Sequence, residues 1–222
     1  MQDYRTKALV IRRVNFGEAD RILTLITKLG RIECLAKSAR KEKSKLAGGI
    51  ELFTLSDIVV HQKSEDRLAI LTSARAEVFY SNLLTSLEKI DLASTFLKMT
   101  DRATRHVSSP DFFELLNSAL AHLNSNTNRE LIEVFFRLNL AKISGENLNL
   151  SFDTNGEKLK IDQTYHWNAV ATAFESSING NFKADDIKVL RFLLSSDLST
   201  SARLKYHNYD KLLIIAKSLS EL

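Results

Sequence analysis

Five histidines (His61, His106, His122, His166 and His207), a single cysteine (Cys34) and a few carboxylate pairs are the side chains through which this 222-residue chain could do covalent or metal chemistry. Their spacing supports none of it. No two histidines stand at ligand spacing on one helix. Cys34 alternates with apolar neighbours in a strand-like run, the pattern of a buried structural thiol, and one cysteine makes no internal disulfide or multi-cysteine metal site. Asp185-Asp186 opens a helical stretch, where the helix dipole favours negative charge. The oxygen-rich "DTNGE" at 153–157 lacks the loop length and ligand count of a calcium loop. Seven glycines fall in none of the spacings that cradle a phosphate. The expectation is a protein that is not an enzyme, with no cofactor, no metal and no small-molecule substrate.

What remains is charge, and it is unevenly spread. The net charge is +4, yet residues 1–80 hold 15 Lys and Arg against 10 Asp and Glu, and the remainder 16 against 17. The stretch "KSARKEKSKL" at 37–46 places five cations beside one carboxylate, Glu42. Most such runs are solvated loops. A localised basic region is also the footprint of a surface for nucleic acid. On that reading Arg12, Arg13, Arg21, Lys37, Arg40, Lys41, Lys43 and Lys45 are the candidate phosphate contacts, acting by release of condensed counterions. Strand alternation sets Arg12 and Arg13 on opposite faces, so at most one of them shares the face of the basic stretch. Phe16, beside Gly17, is the aromatic residue best placed to be exposed as a stacking platform; Phe53 and Phe79 are expected in the core.

These residues need a scaffold, and the texture of the chain changes near residue 80. Before it, β-branched runs at 7–14, 21–27, 31–37, 51–62 and 67–79 alternate with turn signals, which suits a five-stranded barrel of the OB type. The basic stretch then connects the third and fourth strands. After residue 80 the apolar period is helical. Leu92, Phe96, Met99 and Ala103 share a face within 83–106. Ser109 and Pro110 start a second helix, buried along Phe112, Leu116, Ala119, Leu120 and Leu123. Thr127 and Glu130 open a third in capping-box spacing, which stops at Gly145 and is apolar on more than one face. Further helices are expected at 167–178, 184–194 and 208–219. Between 145 and 161 an Asn155-Gly156 turn implies a β-hairpin. The fold class is α+β: a barrel over 1–80, then a mainly helical domain over 81–222 with a small hairpin.

The stretch from Thr6 to Val60, on the residues "TKALVIRRVNFGEADRILTLITKLGRIECLAKSARKEKSKLAGGIELF", resembles the N-terminal domain of the RecO family of bacterial recombination mediators. The Gly17-Glu18-x-Asp20 turn, the Thr27-x-x-Gly30 turn, Lys37 with Arg40-Lys41, Ser44 and Phe53 carry the likeness, and the helical remainder is compatible with the family's second domain. The resemblance implies an OB-fold ahead of a helical domain. It implies single-stranded DNA binding, annealing of complementary strands, and loading of recombinase onto strands coated by single-strand binding protein. The implied partners are the C-terminal tail of that protein and RecR. There are departures. Ser38 stands where the family usually has Gly, which leaves the loop backbone open. The segment that carries a four-cysteine zinc site in many members reads "GENLNLSFDTNG" here, without a cysteine.

Two other readings stay open on the residues alone. One is a protein–protein adaptor whose basic loop docks an acidic partner tail; the other is an RNA-binding OB protein. No apolar run approaches the span of a membrane helix, and "MQDYRTKALVIRR" is not a secretory signal, so the expected location is cytoplasmic.

Overall fold

The computed structural model describes residues 2–64, 67–125, 127–146 and 148–219. They fall into two compact units, Met1–Ser125 and Asn126–Leu222.

In the first unit five strands close a barrel: β1 (Gln2–Phe16), β2 (Asp20–Thr27), β3 (Gly30–Ala36), β4 (Thr54–Gln62) and β5 (Ala69–Phe79), in the order β1-β2-β3-β5-β4. β1 is long enough to serve both ends of the sheet. Its first half pairs with β4 and its second with β2, both antiparallel. The closure between β3 and β5 is parallel and short, at Cys34–Ala69 and Leu35–Ile70. This is the topology of an OB-fold. Alternation decides what points inward: Ala8, Val10, Leu23, Leu25, Cys34, Ile58, Val60, Ala69 and Leu71 meet in the core. Burial pushes the Cys34 thiol up to about 12, with the Glu33 charge adding to it, so this cysteine is chemically quiet.

β1 breaks its own alternation once. Opposite β2 the register slips between Val10 and Arg12, so Ile11 is an extra residue. A bulge of one residue exchanges the two faces for everything beyond it. Arg13 follows Val10 on the inner side, while Arg12, Val14 and Phe16 are turned outward.

The connection from β3 to β4 closes one end of the barrel. It is a chain of turns ending in a single 3-10 turn at Ala47–Gly49. Ala39, Leu46, Ile50 and Leu52 pack on the core, which draws the segment inward between its charges. Gly49 lies so close to β5 that a Cβ would meet the Ala74 carbonyl oxygen at 2.5 Å. β4 begins at Thr54 rather than at residue 51, because Phe53 is buried in a left-handed turn at φ 61°.

Helices α1 (Leu87–Ala103) and α2 (Asp111–Asn124) belong to the same compact unit as the barrel. α1 lies against β1, and α2 against β1 and β2. Arg31 on β3 fixes α1 through Asp101, at 2.7 Å. α2 begins one residue later than expected, with Pro110 rather than Ser109 at its cap, and the Ser109 hydroxyl accepts the Asp111 N–H at 3.1 Å.

The second unit is built on α3 (Arg129–Ile143), buried on several faces by Leu131, Ile132, Val134, Phe135, Phe136 and Leu138. Its cap is Asn128, whose side chain accepts the Leu131 N–H at 2.7 Å, in place of the expected Thr127. α4 (Ala184–Ser195), a short α5 (Leu198–Ser201) and α6 (Tyr209–Leu219) complete the helices.

A four-stranded sheet joins them: β6 (Asn149–Asp153), β7 (Thr164–Asn168), β8 (Ala173–Ser176) and β9 (Phe182–Lys183), in the order β6-β8-β7-β9. The Asn155-Gly156 turn forms, but its return arm adds one bridge, Phe152–Lys158, and β6 finds its main partner in β8. The helix expected at 167–178 is two strands, with Trp167 opposite Phe174 and their rings edge to face at 5.2 Å. The segment that matches the family's zinc region does not fit a metal. Asp153, its central carboxylate, accepts the N–H groups of Asn155 and Glu157 at 2.9 and 2.8 Å and is spent on the turn. Among the described residues no three His, Cys, Asp or Glu side chains gather as a metal site.

Candidate nucleic-acid interface

The basic stretch is an ordered surface. Its backbone folds through successive turns, with Lys41 N–H on the Ser38 carbonyl (3.2 Å) and Ser44 N–H on the Lys41 carbonyl (3.0 Å). Three hydrogen bonds tie it to the turn between β1 and β2. The Arg40 N–H donates to the Ala19 carbonyl at 2.8 Å, the Ser38 N–H to Asp20 Oδ1 at 2.6 Å, and the Arg40 guanidinium to the Gly17 carbonyl at 3.3 Å. Ser38 itself sits at φ 52°, the left-handed region that glycine favours. A serine there costs about 1 kcal/mol, and the Asp20 hydrogen bond offsets part of it.

The eight candidate cations fall into two groups. Lys37, Arg40, Lys41, Lys43 and Lys45 are exposed, and among the described residues none of them makes an ion pair. With Glu42 as the only carboxylate in the stretch, they form a positive ridge at the barrel end. The three strand arginines are engaged. Arg13 and Arg21, both on the inner side at the mouth of the barrel, share Glu51: Arg13 is hydrogen-bonded to it and Arg21 reaches it at 3.5 Å. Arg12 faces out, with Glu33 at 3.4 Å and the Thr24 hydroxyl at 3.3 Å. Arg12 and Arg13 therefore lie on opposite faces, and it is Arg13 that shares a carboxylate with the connection carrying the basic ridge.

Glu33 also takes Arg31, at 3.0 Å, and so links the outer face to the Arg31–Asp101–Arg105 cluster. Burial pushes the Asp101 carboxyl up, but hydrogen bonds and charge from Arg31 and Arg105 outweigh it and hold it below the usual aspartate value.

Of the three aromatic candidates, Phe16 is 52% exposed beside the pinned turn and Phe53 is buried. Phe79 corrects its expectation. At the end of β5, opposite Thr54, it is about half exposed, because the strand runs out past the core. Glu51, which joins two of the strand arginines, carried no signal of its own. It is 38 residues from Arg13, and only barrel closure joins them.

The surface can hold a polyanion by charge at the ridge and present an aromatic ring beside it. Among the described residues no helix is long and apolar enough to cross a membrane.

Comparison with known proteins matches residues 1–79 to the family described as Recombination protein O N terminal and residues 77–215 to Recombination protein O C terminal. The DNA repair protein RecO of Dehalococcoides mccartyi is 30% identical over 218 residues, covering 91% of this chain and 83% of its own. That of Heliobacterium modesticaldum is 33% identical over 172 residues, 76% and 62% of the two chains. That of Desulfitobacterium hafniense is 27% identical over 235 residues, 97% and 82% of the two chains.

Proposed function

The chain belongs to the RecO family of DNA repair proteins, and on that premise we propose that it binds single-stranded DNA at the ridge formed by Lys37, Arg40, Lys41, Lys43 and Lys45. The barrel, residues 1–80, is the nucleic-acid-binding domain on this reading, and 81–222 the helical domain. The observation that carries it is the ridge of exposed, unpaired cations on an ordered, pinned loop. Neutralising phosphates there releases counterions and lets a second strand approach without repulsion, which is what annealing requires. The protein acts as a mediator rather than an enzyme, in the cytoplasm, where its DNA substrate lies. It helps load recombinase onto strands coated by single-strand binding protein, with RecR as a further partner.

An acidic, apolar C-terminal tail of single-strand binding protein has a fitting place in the second unit. A shallow cleft there is lined by buried Ile187 and exposed Ile161, with Lys160, Lys188 and Arg191 around it, Lys160 paired with Glu157 and Lys188 with Asp185. Calorimetry with a tail peptide at low salt tests this; heat of binding is expected, and silence from both the peptide and the whole partner removes the loading role.

The strand reading is tested by titrating labelled single-stranded DNA and RNA across a salt series, alongside an annealing assay. Affinity for DNA should fall linearly in log–log form as salt rises, and annealing should fall with it. Binding to neither nucleic acid would return the ridge to a docking role for acidic protein segments.

A further inference from the structure

At the foot of the basic ridge stands a carboxylate. Asp20 opens β2 and touches the segment that carries Lys37, Arg40 and Lys41. With so many cations near, an acid is expected to form an ion pair, yet among the described residues Asp20 forms none. Its Oδ1 accepts the Ser38 N–H instead, at 2.6 Å. A negative charge here weakens the pull of the ridge on phosphate, so its presence calls for a different role.

The register shows what that role is. The ladder between β2 and β3 ends at Arg21–Ala36. Beyond it Asp20 takes up the Ser38 amide with its side chain, and the Ala19 carbonyl takes the Arg40 amide at 2.8 Å. Between these two bonds the chain turns sharply. Ser38 lies at φ 52°, in the left-handed region that a residue with a Cβ enters at a cost. That turn sends Ala39 into the core, 3% exposed, and leaves Lys37, Arg40 and Lys41 outside. Losing the Asp20 bond removes the compensation for the strained residue. The balance then shifts toward ordinary backbone at Ser38, which aims the flanking cations elsewhere.

We propose that Asp20 is the positioning residue of the ridge: through the Ser38 amide it holds the loop in the conformation that presents its cations to a strand. It touches no phosphate itself. This rests on the reading of the ridge as a strand-binding surface. A hydrogen bond to an ionised acceptor is strong enough to decide such a balance. If its loss leaves the loop in place in about one tenth of the molecules, the apparent affinity falls about tenfold. The same cations meet the same phosphates once the strand is bound, so the salt slope stays that of the parent.

Charge and positioning predict opposite signs, which makes the test direct. Asp20→Ala and Asp20→Asn each remove one negative charge, but only asparagine keeps an oxygen for the Ser38 N–H. If charge alone mattered, both variants would bind single-stranded DNA more tightly than the parent. With Asp20 as the positioning residue, Asp20→Asn binds at least as tightly as the parent, and Asp20→Ala about tenfold more weakly with an unchanged slope. Adding Ser38→Gly to Asp20→Ala should regain part of the loss, because glycine takes the left-handed conformation freely. Amide hydrogen exchange without DNA should show Ser38 protected in the parent and in Asp20→Asn, and fast in Asp20→Ala. Thermal melting checks that each variant folds, and Asp20→Leu, which keeps bulk and lacks an acceptor, replaces an Asp20→Ala protein that does not.

An acceptor-less variant that binds as tightly as the parent, or more so, overturns the proposal and leaves the ridge standing. So does an Asp20→Asn protein as weak as Asp20→Ala, or a fast Ser38 amide in the parent. A parent that binds no strand removes the ridge and the role of Asp20 together.

Discussion

The barrel carries its cations in two ways, and the difference separates holding a fold from holding a ligand. On the strands, every arginine proposed to touch phosphate already has a carboxylate: Arg13 and Arg21 share Glu51, and Arg12 has Glu33. On the loop, five cations are exposed and without an ion pair among the described residues, although the backbone is fixed by hydrogen bonds to Ala19 and Asp20 and the Arg40 guanidinium also donates to the Gly17 carbonyl. A paired cation must give up its partner before it meets a phosphate. An unpaired one on a rigid backbone gives up only water and counterions. The loop, not the strands, should therefore set most of the affinity.

The largest expected departure comes from breaking a pair that supports the fold. Asp101→Ala leaves the largely buried Arg31 with Glu33 as its one remaining carboxylate, and should cost about 2 kcal/mol, less than the roughly 3–5 of a fully enclosed pair because Glu33 stays and both side chains keep some contact with water. Thermal melting checks this, with DNA affinity of the folded protein unchanged. The same pair makes stability sensitive to acid. The folded Asp101 carboxyl lies below its unfolded value, so its contribution is present above the ordinary aspartate range and lost as pH falls through the folded value. Asp186 behaves alike: burial pushes it up, but the Lys183 N–H, Lys211 and Tyr206 together hold it down. Asp101→Ala should make the acid limb of a stability–pH curve shallower, and Asp186 should keep part of it.

A smaller effect should come from releasing strand arginines. Glu51→Gln frees Arg13 and Arg21, and each new phosphate contact should steepen the salt slope by roughly 0.7, so up to about 1.4 in all. A slope that does not move would show that these two arginines never reach the strand. Smallest of all, Arg12→Ala should change the slope by no more than about 0.7, since Arg12 is turned outward and held by Glu33, on the face opposite Arg13.

The strands of the barrel are legible because inward and outward residues alternate and turn residues punctuate them. The basic loop is legible because local composition alone marks it. Where the reading fails, the same spacing serves two structures. Trp167 and Phe174 are seven apart, two turns of a helix, yet here they face each other across a tight pair of strands. Val170 and Ile178, which would complete the helical stripe, are 98% exposed. The sharing of Glu51 by two arginines and the outward turn of Val14 and Phe16 are not legible at all. Both depend on which strand lies beside which, and on one bulge at Ile11 that local pattern does not announce.

The central claim is that the unpaired loop cations hold the strand. Its most direct test is the slope of log affinity against log salt for single-stranded DNA, measured for the parent and for the variant with Arg40, Lys41, Lys43 and Lys45 all replaced by Ala. Four lost contacts at roughly 0.7 each should flatten the slope by up to about three. Base preference should barely move, because phosphate contacts carry no sequence information. The melting temperature should stay near the parent's, since exposed unpaired charges contribute little to the fold. A well-folded variant with the parent's slope would contradict the claim and leave the ridge a solvated loop.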